Sequence, residues 1–557
     1  MAKGSRANGG AAREVGVQFP RDRTGGRVST TVVKAALRAS TSVADDIAAQ
    51  RLDAEKNWRY AYNTHLVKNC ELLARGPQAE AAKLAEAGLR HLHGAFEFVG
   101  ADGASRPLGA AMADVPGLTP DAGGFDWGVV AGRATGSPAG PCRVPYQGRS
   151  LEGASLRRQL EQWRHRGIIE RDAADALGSL ADAPDVDLAG HTFACVGANS
   201  EMGPLGALLA HGATVLAVDV PSAGIWRRLA QVAADSRGTL VAPLRRPSGE
   251  SGPRTHVMGE GLAADEFCAR AGCNILEETP AVAAWIAAWR PAGRMCIGSY
   301  VYLDGANFVR VALAADAIVE AVCQARPDTA LACLSSPTEC YAVPADAFAD
   351  AERRLRSPPA GVIHRLWYGP LRAASGGKYC APAAPAAEVA SPEGPILLRD
   401  SYTHMQGPNY AFAKQIQRWR MVLARSRGHV TSANLGPMTL TKSILHNRLI
   451  GAGVKGAVHF GLEPFYAETS RALLAMLLIH DLTCVTSAAN PEVNLASPLQ
   501  LFSENALHVG SWRAAFATNS YTEVCALTYA TGQAQPYFVA GGAVVAAAAG
   551  WRLRSKL

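Results

Sequence analysis

The sequence predicts an α/β protein: a doubly wound parallel sheet, preceded by a helical N-terminal extension and broken by an insertion before one long helix. Three observations carry this. From residue 191 onward, short apolar runs alternate with runs of helical periodicity, and repeated strand–helix alternation builds a parallel sheet with helices on its faces. A glycine-containing turn, Val196-Gly197-Ala198-Asn199-Ser200-Glu201-Met202-Gly203, separates the first apolar run from its helix. Polar residues then gather at the carboxyl ends of the runs, where open α/β sheets form their crevices.

Taken in order, residues 1–28 are rich in Gly, Ala and Arg without apolar periodicity and read as a flexible arm. They lack the apolar core of a secretory signal, and Glu14 and Asp22 interrupt the basic character of a transit peptide. Residues 29–186 form the helical region. Val32 to Leu37, Ile47 to Leu52 and Ala81 to Leu92 carry apolar residues at three and four spacing, and Trp58, Tyr60 and Tyr62 are assigned to its core. Within it, residues 99–148 are dense in Gly, Pro and Ala and read as an irregular linker or wrapping segment. Helix returns from Leu151 to Leu180, with Leu156, Leu160, Trp163 and Ile168 near one face.

The main domain is placed at 187–535. Its first strand, His191 to Cys195, leads through the glycine turn into the helix Leu205 to Ala210; a second strand, Ala213 to Val218, ends in Asp219. Alternation continues through Gly238 to Pro243, Ala281 to Trp289, Arg294 to Leu303 and the helix Phe308 to Gln324, then the strand Ala330 to Leu334 with Ser335 and Ser336 at its end. Residues 341–395 break the pattern with repeated prolines and read as an insertion, a lid or partner surface. Phe465 to Asp481 is uniformly apolar and is assigned to the core; His480, His508 and Trp512 are weighed as pocket residues but fit satisfied core positions better. Residues 536–557 form a tail.

Composition narrows the function classes. With 48% hydrophobic and 18% charged residues the chain builds a sizeable core. The net charge of +7 is spread along the chain, so nothing prompts nucleic-acid binding. Twelve cysteines without a CxxC pair read as free thiols, and no metal site is expected. HExxH, GxSxG and Walker A motifs are missing, which argues against metalloprotease, α/β-hydrolase and P-loop chemistry.

Two stretches carry the chemistry. Backbone amides at a glycine turn before a helix can hold a pyrophosphate, because they lack intrahelical partners and the helix dipole favours an anion. The cradle is Gly197, Asn199, Ser200, Glu201, Met202 and Gly203. Asp219 is placed to accept from ribose hydroxyls, which favours NAD; Arg227 and Arg228 keep NADP open. In the second stretch Tyr410 and Lys414 stand four residues apart, so a helix brings phenol and ammonium to one face. A cation beside a phenol lowers its pKa and makes it an acid or base near neutrality.

These stretches resemble the short-chain dehydrogenase/reductase superfamily. Gly197 to Gly203 resembles its TGxxxGxG turn, Ser335-Ser336 its serine strand end, Tyr410-xxx-Lys414 its catalytic pair, and Ser432 to Thr439 its N-x-x-x-PG-x-x-x-T segment. The resemblance spans roughly 190–485 and implies a Rossmann domain that moves hydride between NAD or NADP and a carbonyl or alcohol carbon. Tyr410 would then exchange the proton, Lys414 would bind the nicotinamide ribose and lower the pKa of Tyr410, and Ser336 (or Ser401) would hold the substrate oxygen. Pro437 and Thr439 would adjoin the cofactor. The chain departs from the pattern at Glu201, at Gly436-Pro437 and at Ser299 to Gly305. Asp316 and Asn307 are the candidates for the family's helix asparagine.

The final Ser555-Lys556-Leu557 reads as a peroxisomal address recognised by an import receptor, which makes a fatty acyl derivative an expected substrate; a source without peroxisomes would leave the chain cytoplasmic. Tyr537 to Gly550 is too short to span a bilayer. Expected partners are thus a small-molecule substrate and the import receptor, with a homo-oligomer open. The alternative reading is a non-catalytic Rossmann nucleotide-binding or scaffold protein.

Overall fold

The structure, a computed structural model, describes residues 14–113, 115, 124–134, 139–247, 250, 252–291, 293–357, 362–392 and 394–533. A nine-stranded, mixed and mostly parallel sheet runs through the α/β core. Its strands in chain order are β1 (Phe125–Ala131), β2 (Thr192–Val196), β3 (Thr214–Val218), β4 (Thr239–Arg245), β5 (Thr255–Met258), β6 (Gly261–Leu262), β7 (Met295–Ser299), β8 (Ala330–Ser335) and β9 (Thr431–Leu435). Their spatial order is β6-β5-β1-β4-β3-β2-β7-β8-β9. The run from β4 to β9 is parallel throughout, and β1 joins β4 antiparallel. Strands β2, β7 and β9 are buried at every residue, which explains the mostly apolar runs of β2 and β7; in β9, buried Ser432 and Asn434 are satisfied by Asp481.

Side-chain alternation divides the sheet between two cores. Ala194, Val196, Leu216, Val218, Ile297, Leu331 and Cys333 belong to one cluster. Phe193, Cys195, Val215, Ala217, Cys296, Ala330 and Ala332 belong to the other. Successive residues face opposite ways, as a pleated strand requires. The first core is closed by the helices α1 (Trp58–Arg75), α2 (Gln78–Ala95), α4 (Ala306–Ala325) and α5 (Pro408–Ser426), with α3 (Leu205–Ala210) and α6 (Ala467–Thr483) on the other side.

The N-terminal helices pack directly on α5. Buried Asn69 of α1 accepts from Gln415 Nε2 and Trp419 Nε1, each at 3.1 Å, and donates to Ser40 Oγ at 2.9 Å. Gly88 of α2 lies under the Trp419 ring; an added Cβ would sit 2.6 Å from it. Between α4 and α5, buried Asp316 accepts from Arg420 at 2.6 and 2.9 Å and pairs with His93 of α2 at 2.7 Å. Arg420 also pairs with Glu320. The arginine holds the Asp316 carboxyl well below its usual range despite the opposing effect of burial.

Two parts of the sequence reading are corrected. Residues 99–148, read as an irregular linker or wrap, contain strand β1 inside the main sheet. The segment 14–28 of the expected arm is anchored: Gly16–Gln18 pairs antiparallel with Glu97–Val99, Val17 is fully buried, and Arg27 pairs with Glu14 and Glu97 at 2.6 Å each. Both elements partner strands distant in sequence, so local periodicity carries little trace of them. The 341–395 segment contributes strands Cys340–Val343 and Ala387–Val389 to a small antiparallel sheet with Ile396–Asp400. That unit sits between β8 and α5 in the chain. No helix among the described residues is long and apolar enough to cross a membrane. Ser555-Lys556-Leu557 and Tyr537 to Gly550 lie outside the described residues.

The Gly88 contact gives a direct test of the interface between the N-terminal helices and α5. Gly88→Val forces a branched side chain into the Trp419 ring and should destabilise the protein by about 1–3 kcal/mol, as overpacking does. Urea denaturation of the variant checks this; unchanged stability would mean that α2 does not pack there.

Candidate active site

Each chemical group is carried by the carboxyl end of a parallel strand or by α5. Strand β8 ends at Ser335, and Ser336 follows, with 2% of its surface exposed. Helix α5 starts at Pro408 after Gly407, whose φ of +80° favours glycine. Its first turns aim Tyr410 at the strand end, where the phenol donates to Ser336 Oγ at 3.2 Å. Thr338 completes the serine's environment through its hydroxyl at 2.9 Å and its amide at 3.3 Å. Of the two serines weighed from the sequence, Ser336 faces Tyr410; Ser401 is fully buried, its amide bonded to Glu339 O at 2.9 Å.

Lys414 lies one turn further along α5. Its ammonium donates to Leu334 O at 2.7 Å and Gln417 Oε1 at 3.0 Å, and it sits 5.7 Å above the Phe308 ring. Burial holds its pKa below the usual lysine value. The expected lowering of the Tyr410 pKa by Lys414 is not found: burial pushes the phenol up to about 12, Ser336 opposing and Glu339 adding to the rise. The ammonium is turned to backbone and amide oxygens instead of the phenol. The rings of Phe308 and Tyr302 lie beside the phenol, with centroids 5.3 and 6.3 Å from Tyr410.

Neither candidate for the helix asparagine meets Lys414. Asp316 is locked in its pair with Arg420, and Asn307 accepts from Arg310 at 2.9 Å. The polar partner is Gln417, which the sequence reading missed. Its place three residues after Lys414 on one helix face was the available signal.

The glycine turn follows β2, which stands two places from β8 in the sheet. Gly197, at φ +84°, approaches the backbone of Tyr300 so closely that a Cβ would lie 3.0 Å from the carbonyl carbon. Ser200 N–H is bonded to Gly197 O and Gly203 N–H to Ser200 O, both at 3.0 Å, so these two amides are engaged within the turn. Helix α3 follows Pro204, which has no N–H to offer. Asn199 N–H instead donates to Asp219 Oδ2 at 2.7 Å, and Val220 N–H to Asp219 Oδ1 at 2.9 Å. Burial raises the Asp219 pKa against these bonds. Arg228 donates to Asn199 Oδ1, and Arg227 pairs with Asp265 at 3.1 Å.

Glu201 does not aim its carboxylate into the turn. It accepts the Lys442 amide at 2.9 Å, tying the turn to the chain beyond β9. Met202 packs against the core cluster on its own face of the sheet. Gly436 N–H donates to Ser335 O at 2.9 Å, bringing the buried Pro437 segment next to Ser336. Thr439 is buried and bonded to Ser470 Oγ at 2.7 Å and Pro437 O at 2.8 Å, so its hydroxyl is occupied. His508 lies stacked on Trp512 at 4.7 Å and within 3.1 Å of Glu170, a structural role.

The serine is held from behind by buried Glu339, which accepts the Ser336 amide on one oxygen and Arg418 Nη2 at 3.0 Å on the other. Comparison with protein-family models, with curated proteins and with solved structures gives no match to this chain.

Removing the charge of Glu339 while keeping its shape tests this support. Glu339→Gln leaves the Arg418 cation buried opposite a neutral amide, and such breakage costs about 3–5 kcal/mol. Chemical denaturation should show that loss; a change below about 1 kcal/mol would place the pair outside the folding balance.

Proposed function

We propose that the protein is an NAD(P)-dependent oxidoreductase of the short-chain dehydrogenase/reductase type, acting on a carbonyl or alcohol substrate through a doubly wound Rossmann domain. The observation that carries this reading is the bond between Tyr410 and Ser336, formed at a strand end by a helix that also carries Lys414. The parallel strand order β4-β3-β2-β7-β8-β9 supports it, because it reverses direction at β2, where the glycine turn lies. Gly197 and strand-end Asp219 fit a dinucleotide: one lets backbone come close, the other offers a carboxylate beside it.

A bound nicotinamide dinucleotide supplies or accepts the hydride. Ser336 Oγ and Tyr410 Oη together orient the substrate oxygen. Because burial keeps the phenol protonated through neutral pH, Tyr410 is set to donate a proton to a carbonyl oxygen as it gains charge. Lys414 is the nearby cation; turning its ammonium from Leu334 O toward the phenol or a ribose hydroxyl favours the phenolate left behind. Asp219 favours NAD, and Arg228 beside Asn199 keeps NADP in play. The Phe308 and Tyr302 rings beside the phenol suit an acyl chain.

Purified protein should oxidise NADH or NADPH with a member of a 3-oxoacyl and simple-ketone panel. Tyr410→Phe should lower kcat by about 10²–10⁴-fold, the usual contribution of a positioned acid. Turnover indifferent to that change would sink the mechanism. Cofactor binding without turnover would return the alternative, a nucleotide-binding or scaffold protein.

A further inference from the structure

From Ser401 to Leu462 the sequence has no Asp or Glu, while Arg, Lys and His recur throughout. Part of that charge is used inside: Arg418, Arg420 and Arg425 of α5 are buried. The part beyond β9 turns outward. There Thr439–Leu440 pairs with Phe465–Tyr466, and the Thr441 hydroxyl caps a short helix, Lys442–His446. Asn447 caps a second, Arg448–Gly456, by accepting the Leu449 and Ile450 amides at 3.2 Å each. The first helix has no buried residue. The second is held down by its glycines: Gly456 is seated so closely on Cys525 O of the helix Thr518–Gln533 that any side chain there would overlap it.

This outward unit is apolar as well as basic. Among the described residues twelve large apolar side chains are exposed, and four of them, Leu445, Leu449, Val458 and Tyr466, fall within 22 residues of chain at 43–54% exposure. Beside them Lys442, Arg448 and Lys455 are exposed, and none of the three is in an ion pair among the described residues. Lys455 lies over the Tyr529 ring at 5.5 Å. The acids at the border are mostly occupied. Glu201 accepts the Lys442 amide and Glu463 pairs with Arg166 at 2.6 Å, while Glu468, past Tyr466, is exposed.

We propose that this unit, Lys442 to Val458 with Tyr466, docks the protein on the surface of an anionic lipid bilayer. Apolar side chains scattered singly over a surface need no explanation; four of them among three unpaired cations, on one acid-free excursion, do. A nucleic acid would answer the cations and leave the leucines in water. An anionic bilayer takes both kinds of group: its headgroups attract Lys and Arg, leucine and valine enter the boundary of the acyl region, and tyrosine suits the headgroup level. The excursion lies at the carboxyl ends of the parallel strands. It leaves β9 beside Ser335, whose carbonyl accepts the Gly436 amide, and Glu201 ties its first helix to the glycine turn. Exposed Tyr302 and Leu303 follow the carboxyl end of β7. Docking thus turns this end of the sheet toward the lipid, from which an acyl substrate would enter. That last consequence rests on the oxidoreductase reading, whereas docking does not.

The test is co-sedimentation of the full chain with vesicles of phosphatidylcholine alone and of phosphatidylcholine mixed with phosphatidylserine, at low and at raised salt. Saturable binding to the mixed vesicles is expected, weakened by salt because surface charges are screened. Lys442→Gln with Arg448→Gln should weaken it about thirtyfold, the combined effect of two cations at such a surface. Leu445→Ser with Leu449→Ser should weaken it at least about tenfold. All four positions are exposed, so the variants keep the fold, which circular dichroism checks. Lys83→Gln with Arg90→Gln, exposed on α2, removes the same charge elsewhere and should leave binding unchanged. Absence of binding to the mixed vesicles would overturn the proposal, as would an equal loss in the α2 control or binding that neither pair of substitutions in the unit weakens. Loss on removing the cations with the leucine variant unaffected would also overturn it, in favour of a soluble polyanion. No turnover is measured, so each outcome stands apart from failure of the oxidoreductase reading.

Discussion

The buried pair between Arg418 and Glu339 is the constraint around which the Tyr410–Ser336 face is arranged. Both side chains are nearly inaccessible to solvent, at 1% and 2%. Taking two such ions out of water is expensive, and their attraction offsets that cost only when further hydrogen bonds satisfy what is left over. Here those bonds come from places that fix the site. Glu339 takes the Ser336 amide, Arg418 takes Cys340 O and Cys70 Sγ, and the rings of Tyr341 and Phe502 lie 5.4 and 5.1 Å from the guanidinium. The strand end, α5 and the N-terminal helices are thereby held to one position.

Helix α5 transmits that constraint. Tyr410, Lys414 and Arg418 stand at successive four-residue steps, so one helical face presents a phenol to Ser336, an ammonium behind it and a guanidinium at the anchor. Farther along, Trp419 and Arg420 dock the N-terminal helices through Asn69 and through Asp316 with His93. The N-terminal region is thus part of the scaffold that holds α5. Its covering of α5 explains why so many charged residues of that helix are buried.

Much of the fold was legible in the sequence because it is local. The β2–turn–α3 unit, the strand ending at Asp219, the strand ending at Ser335-Ser336 and the pairing of Tyr410 with Lys414 on one helix follow from apolar period, glycine placement and spacing. What stayed hidden depends on distant partners. Strand β1 sits in a Gly- and Pro-rich stretch and exists because β4 offers it an edge. The direction of the Glu201 carboxylate is set by the Lys442 amide, far along the chain. Lys414 reads as a partner for Tyr410 from spacing alone, yet the carbonyl of Leu334, on the strand that α5 packs against and 80 residues away in sequence, takes its ammonium.

The central claim is that the glycine turn and the Tyr410–Ser336 pair form one nucleotide-dependent site. Fluorescence titration of NADH and of NADPH into the purified protein tests it most directly, with Lys414→Met alongside. The account predicts saturable enhancement of nicotinamide emission for one of the two with the native chain, weakened at least about tenfold, or 1.4 kcal/mol, by the substitution. Absence of saturable binding of either nucleotide to the folded native protein would contradict it.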